Sequence, residues 1–195
     1  MYSEKLSPVI DIKECCNTED ILEVTYNNFQ NNIMDKKKRP NLFNKFIFID
    51  FKYWIENKAE IYWHIISLGI NEKFNVFPCN NDISSVYKKD NCINQEYQVT
   101  LANGSVRNIC LYRAIRINWL IDIIHLANKN DESIKYWVKS GKLYLRFQHR
   151  GVDYAVVFQI QEDKYRLVSA FPVFYINKKQ VFDKDYSDYQ KIKKR

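Results

Sequence analysis

Glycine and proline are scarce in this chain, four of each among 195 residues, which argues against disorder except at the ends. The five cysteines, Cys15, Cys16, Cys79, Cys92 and Cys110, are odd in number. They form no CxxC pair and no His/Cys cluster at zinc-ligand spacing, so reduced thiols are the simplest reading and no metal site is expected. No stretch approaches the roughly 18 uncharged apolar residues that would span a membrane, and MYSEKLSPVIDIKECC lacks the apolar run of a signal peptide. The expectation is a cytoplasmic protein without a membrane partner, unless other machinery delivers it into a target cell. HExxH, a Walker loop, GxGxxG, a GxSxG elbow and paired carboxylates are all missing, which argues against metalloprotease, NTPase, dehydrogenase and hydrolase readings, and no cofactor is expected.

Aromatic residues are plentiful, 15% of the chain with 14 Tyr and 12 Phe. A chain this long can bury roughly 70% of its unfolded surface as one domain, alone or with a smaller N-terminal attachment. Thirty Lys and Arg against 23 Asp and Glu leave a charge of +7, which favours an anionic partner such as nucleic acid. Part of the excess is local: residues 178–195 hold seven basic side chains (Lys178, Lys179, Lys184, Lys191, Lys193, Lys194, Arg195) against Asp183, Asp185 and Asp188, a net of +4. That segment reads either as a solvated tail or as a phosphate contact.

Residues 18–34, TEDILEVTYNNFQNNIM, place Ile21, Leu22, Thr25, Phe29 and Ile33 near helical spacing, with Thr18 as N-cap. DKKKRP, residues 35–40, ends this helix as a linker. FIFIDF suggests a strand, and residues 54–68 a helix capped by Gly69. Residues 71–94 read as loop, and EYQVTL as a strand entering an Asn103-Gly104 turn. Residues 106–128 read as one long apolar helix and residues 132–139 as a short one. KLYLRFQH, VDYAVVFQI and DKYRLVSAFPVFYI are β-branched and aromatic with short connections, the pattern of an antiparallel meander. The expected fold is therefore α+β: N-terminal helices, then a long helix packed on an antiparallel meander of about four strands. The expected partition is an N-terminal helical segment and linker (1–40), an α+β domain (41–178) and a basic tail (179–195).

Alternation puts Leu143, Leu145 and Phe147 on the core face of their strand and Tyr144, Arg146 and Gln148 on an open one. Ser169 sits in a strand whose polar residues alternate poorly; it is either a small packing residue or a site hydroxyl. Arg113 and Arg116, three apart on the expected helix, could clamp a phosphate or form salt bridges. His64, His125 and His149 could each act as acid or base near neutral pH. His125 in IIHLAN reads as a core residue, whereas His149 lies at a strand end beside Arg150.

RAIRINWLIDII (residues 113–124), KYW (135–137), LYLRF (143–147), DYAVVF (153–158) and YRLVSAFPV (165–173) resemble the phage- and toxin-associated branch of the barnase, EndoU, colicin and RelE nuclease superfamily. In those relatives an Arg-rich helix precedes the sheet, and the last core strand carries a Leu-Val-Thr-Ala-Tyr type motif; here it is Leu167, Val168, Ser169, Ala170 and Phe171, without the tyrosine hydroxyl. YWHIISLG (62–69) is similar to an N-terminal histidine motif of some members. The resemblance implies a metal-independent endoribonuclease, in which the ribose 2′-hydroxyl attacks the adjacent phosphate. It implies His64, Arg113, Arg116, Arg146 and Ser169 as catalytic residues converging on one basic cleft. His149, Arg150, Arg166, Lys193 and Lys194 are the further RNA contacts expected, and an immunity or antitoxin protein the expected partner besides RNA. The alternative is a non-catalytic RNA-binding or protein-interaction module on the same fold.

Overall fold

The structure, a computed structural model, describes residues 3–70 and 93–193. In chain order its elements are helix α1 (Thr18–Phe29) with a π-helical turn (Gln30–Met34), strands β1 (Phe46–Phe48), β2 (Trp54–Ile55) and β3 (Lys58–Ala59), helix α2 (Glu60–Ile66), strands β4 (Ser67–Gly69), β5 (Ile93–Thr100) and β6 (Val106–Cys110), helices α3 (Leu111–Ala114) and α4 (Trp119–Asn128), strands β7 (Ile134–Lys139), β8 (Lys142–His149), β9 (Val152–Ile160) and β10 (Lys164–Pro172), and helix α5 (Ile176–Lys193). They form two compact units. The first comprises Met1–Ser7, Arg39–Ile49 and Trp119–Arg195; the second comprises Pro8–Lys38 and Asp50–Asn118. The chain crosses between them after Ser7, Lys38, Ile49 and Asn118.

The second unit packs α1 on α2. Asn17, one residue before the expected cap, accepts a hydrogen bond from the Asp20 backbone N–H at 2.9 Å, and Glu19 and Asp20 suit the positive end of the helix dipole. Tyr26 and Phe29 meet Tyr62 of α2 with ring centroids 4.9 and 5.6 Å apart. The Tyr62 hydroxyl, buried among them, lies 2.7 Å from Thr25 Oγ1 and donates to the Leu22 carbonyl at 3.0 Å. Residues 54–68 are not one helix: Glu56 and Asn57 take left-handed φ of 48° and 58° and close a β2–β3 hairpin, leaving only Glu60–Ile66 helical. Gly69 is no helix cap, because β4 is drawn into a three-stranded antiparallel sheet of order β4-β6-β5.

The long helix expected over residues 106–128 is likewise three elements. Its first five residues are β6, which pairs with β5 across the turn at Gly104 (φ 80°). A single turn, α3, follows, and α4 begins only at Trp119, in the other unit. Nearly uninterrupted apolar character marks segments buried on several sides, which periodicity alone does not divide. Residues 134–139 are a strand rather than a helix for a related reason: Ser140 and Gly141, with φ of 49° and 70°, form a two-residue reversal that pairs β7 with β8.

The first unit is built on a five-stranded sheet of order β1-β10-β9-β8-β7. β8 to β10 form the expected antiparallel meander, β7, expected as a helix, adds a further antiparallel strand beside β8, and β1 adds a parallel edge strand beside β10. The fold is thus α+β, with a mixed five-stranded sheet rather than a four-stranded antiparallel one. Leu143, Leu145, Phe147 and Tyr154 are buried on one face, where Trp119 of α4 meets Tyr154 edge-on at 5.5 Å. The opposite face, expected to be open, is covered by α5. Phe182 lies 5.1 Å from Trp137 and 5.8 Å from Tyr144 between ring centroids, so most of the expected tail is a packed helix. No helix among the described residues is long and apolar enough to cross a membrane.

Phe182 is the main apolar anchor of α5, the rest of which is largely polar. Phe182→Ala is expected to lower stability by about 3–5 kcal/mol and to expose residues 176–193 to limited proteolysis; an unchanged urea midpoint would show that the sheet does not need its second helical layer.

Candidate functional site

The second unit brings together an imidazole and two guanidinium groups. His64 occupies the last turn of α2, which stops where β4 pairs with β6. Arg107 of β6 donates from Nε to Ser67 Oγ at 2.7 Å and from Nη2 to the Ser67 carbonyl at 3.1 Å. Arg113 of α3 donates from Nη1 to the same carbonyl at 2.6 Å. Burial, followed by the positive charges of Arg107 and Arg113, pulls the His64 pKa from 6.5 to about 4. The imidazole is therefore neutral at physiological pH, beside two cations that stay charged. It can accept a proton, and the guanidinium groups can stabilise negative charge.

Arg113 and Arg116 do not project from one regular helix. Arg116 lies in the turn after α3, fully buried, its guanidinium 3.5 Å from the Tyr112 ring centroid and donating to the Tyr112 carbonyl at 3.2 Å. It is held as a packing element, so Arg116→Ala would lower stability rather than spare it. Cys110, also buried, has its thiol pKa raised by burial, an effect opposed by Arg113 and Arg116.

Arg146 and Ser169 belong to the first unit, so the five expected catalytic residues divide two and three between the units. Arg146 is 1% exposed. It makes a bidentate pair with Asp153, Nε to Oδ1 at 2.8 Å and Nη2 to Oδ2 at 2.7 Å, and reaches Asp183 of α5 from Nη1 at 2.9 Å. Burial lowers its pKa, and the hydrogen bond and charge of Asp153 outweigh that, leaving it raised. Ser169 follows a bulge: Leu167 pairs with Phe158 but Ser169 with Val157, so alternation along β10 is reset at Val168. Pairing across Val157 and Tyr144 then sets Ser169 on the sheet face that α5 covers.

The described members of the expected RNA contacts, His149, Arg150, Arg166 and Lys193, all belong to the first unit. His149 Nδ1 lies 2.9 Å from Ser3 Oγ, and Arg150 pairs with Glu4 at 3.1 Å. Arg166 is exposed on β10, and Lys193 reaches the Tyr136 hydroxyl at 3.3 Å. Lys194 lies outside the described residues. His125, read from sequence as a core residue, is exposed on α4. Sequence reasoning missed Arg107 and Ser67. The Asn-Gly turn was the available signal, since it makes residues 106–110 a strand and sets Arg107 opposite Gly69. No group of three or more His, Cys, Asp or Glu among the described residues could hold a metal ion. Comparison of the chain with protein-family models, curated proteins and solved structures finds no match.

Two outcomes follow from these environments. Arg146→Ala leaves Asp153 buried without its bidentate partner and should cost about 3–5 kcal/mol in chemical denaturation, whatever its effect on activity. For His64, the unfolded chain binds a proton at pH values where the folded chain does not. Its contribution is therefore complete above pH 6.5 and lost as pH falls toward about 4. His64→Gln should flatten the dependence of the urea midpoint on pH across that window, and an unchanged slope would place His64 in water.

Proposed function

We propose that the chain is a metal-independent endoribonuclease of the toxin or phage-associated kind, with its reacting centre around His64, Arg107 and Arg113. The observation that carries this reading is the convergence of Arg107 and Arg113 on Ser67, three residues after His64, near enough for both charges, with burial, to depress the imidazole pKa. Neutral His64 takes the proton of the ribose 2′-hydroxyl as the 2′-oxygen bonds to phosphorus. The bond from phosphorus to the 5′-oxygen breaks, and that oxygen takes a proton from water. The products are a 2′,3′-cyclic phosphate and a free 5′-hydroxyl. Negative charge grows on the phosphorane oxygens, where Arg107 and Arg113 act preferentially on the transition state. Arg146 enters this reading as a structural cation, and Ser169 has no role in the chemistry. An immunity or antitoxin protein that covers the centre belongs to the same proposal.

The engagement of both arginines with Ser67 favours a second reading, an RNA-binding module without catalysis. Incubation with total RNA in EDTA separates the two. Cleavage leaving 2′,3′-cyclic ends is expected. His64→Ala should reduce it by about 10²–10⁴ and Arg107→Gln by about 10²–10³. The acid limb of the rate profile, near pH 4, should move upward in Arg107→Gln, because one of the cations depressing His64 is gone. Cleavage abolished by chelator and restored by magnesium would exclude the mechanism, while salt-dependent binding without cleavage would select the second reading.

A further inference from the structure

The first unit carries a polar cavity of about 470 Å³ lined by Pro40, Asn41, Phe43, Asn44, Asn128 and Asn130, within the roughly 300–1,000 Å³ common for small-molecule sites. Two reversals build it. Leu42 and Lys45 exchange backbone hydrogen bonds of 2.9 Å each, so Phe43 and Asn44 form a tight turn with left-handed φ of 47° and 64°. Asn130 caps α4 at φ 53°, with Asp131 N–H donating to the Leu126 carbonyl and Asn130 N–H to that of Ala127, a Schellman closure. Asn128 joins the two: its Oδ1 accepts from the Phe43 backbone N–H at 2.8 Å, and its Nδ2 donates to the Asn41 carbonyl at 2.6 Å.

Asn128 is thus occupied in holding the walls. Asn41, Asn44 and Asn130 are exposed residues of the cavity lining whose carboxamides make no hydrogen bond among the described residues. Phe43 stands beside Tyr136 at 5.0 Å between ring centroids. The lining contains no carboxylate, Lys129 is exposed between two lining residues, and Lys193 Nζ lies 3.3 Å from the Tyr136 hydroxyl. A bulky aromatic residue held at positive φ is a strained choice where glycine would serve, and such strain gathers at functional positions.

We infer that this cavity receives an unpaired adenine base of single-stranded RNA, using its carboxamides for the base edge, Phe43 for the base face and the neighbouring lysines for the phosphate. A carboxamide presents one acceptor and a pair of donors, the complement of adenine N6 and N7. Unstacked bases in RNA are bound by aromatic faces together with hydrogen bonds to their edges. The identity of the polymer rests on the ribonuclease reading, whereas the base site does not.

The test uses the whole chain with adenosine monophosphate, uridine monophosphate and ribose 5-phosphate, monitored through the backbone amide resonances of Phe43, Asn44 and Asn130. Adenosine monophosphate should shift these resonances at concentrations about tenfold lower than uridine monophosphate, and ribose 5-phosphate should leave them in place. Asn44→Gly combined with Asn130→Gly removes two carboxamides while relieving both left-handed positions, so the fold is kept; it should abolish the preference. Equal response to both nucleotides, no response to adenosine monophosphate, or a preference that survives in the double variant overturns the inference. Oligoadenylate with 2′-O-methyl groups, which cannot be cleaved by 2′-hydroxyl attack, should bind more tightly than its uridylate counterpart in fluorescence anisotropy. RNA cleavage by a chain whose cavity ignores adenosine monophosphate refutes the base site alone. A cavity that selects adenosine monophosphate in a chain that neither binds nor cleaves RNA refutes the ribonuclease reading alone.

Discussion

The buried charge of Arg146 constrains the five-stranded unit more than any other single feature. A guanidinium on a central strand with 1% exposure has to be answered by carboxylates or the sheet cannot form around it. Asp153 answers it from the adjacent strand through two parallel hydrogen bonds, and Asp183 answers it from α5. The second contact fixes where α5 lies: with Asp183 at the guanidinium, Phe182 is delivered to Trp137 and Tyr144, and Lys139 reaches Asp185 at 2.7 Å. The terminal helix is polar enough to remain in water by itself, so the ion pair and one aromatic anchor together decide its place.

The local signals that proved most informative were turn dipeptides rather than periodicity. Asn103-Gly104, Ser140-Gly141 and Arg150-Gly151 are each followed by a strand that pairs back on the one before. A reversal of this kind has little use unless both flanks are extended, and that condition assigns residues 106–110 and 134–139 to strands despite their helix-like apolar content. The meander from Lys142 to Pro172 was legible because its turns and its β-branched composition agree. The bulge at Val168 was not, since one unpaired residue leaves no mark on composition and yet exchanges the faces of everything after it.

The same contrast runs through the candidate site. His64 and Arg113 could be singled out by residue type, but their association depends on Ser67, whose carbonyl receives both Arg107 and Arg113. Arg107 carries no such signal, because a residue at the start of an expected helix has no reason to face β4. For Arg146, strand alternation gives the face correctly but says nothing of what lies over that face. Phe182, Tyr186 and Tyr189 recur at helical spacing within the basic tail, the pattern from which a covering helix could have been inferred. Several of the cations that make up the net charge are engaged in internal contacts, among them Arg107, Arg113, Lys139 and Arg146.

Scarcity of glycine has a structural consequence of its own. The described backbone turns through left-handed conformations at Gly104, Gly141 and Gly151, and also at seven residues that are not glycine: Phe43, Asn44, Glu56, Asn57, Asn130, Ser140 and Arg150. Asparagine tolerates this region because its short carboxamide bonds locally, but phenylalanine, glutamate and arginine do so at some expense. Those three are held by tertiary contacts: the Phe43 backbone by Asn128, Glu56 by the Tyr97 hydroxyl at 2.8 Å, and Arg150 by Glu4 at 3.1 Å. Glycine would make each turn easier and would remove the side chain that the turn displays. At Glu56 and Arg150 that side chain makes the contact that holds the turn, whereas at Phe43 the backbone is held by Asn128 and the ring lies against Tyr136. The cost of a left-handed residue is thus met by tertiary contacts that a glycine would not need at all.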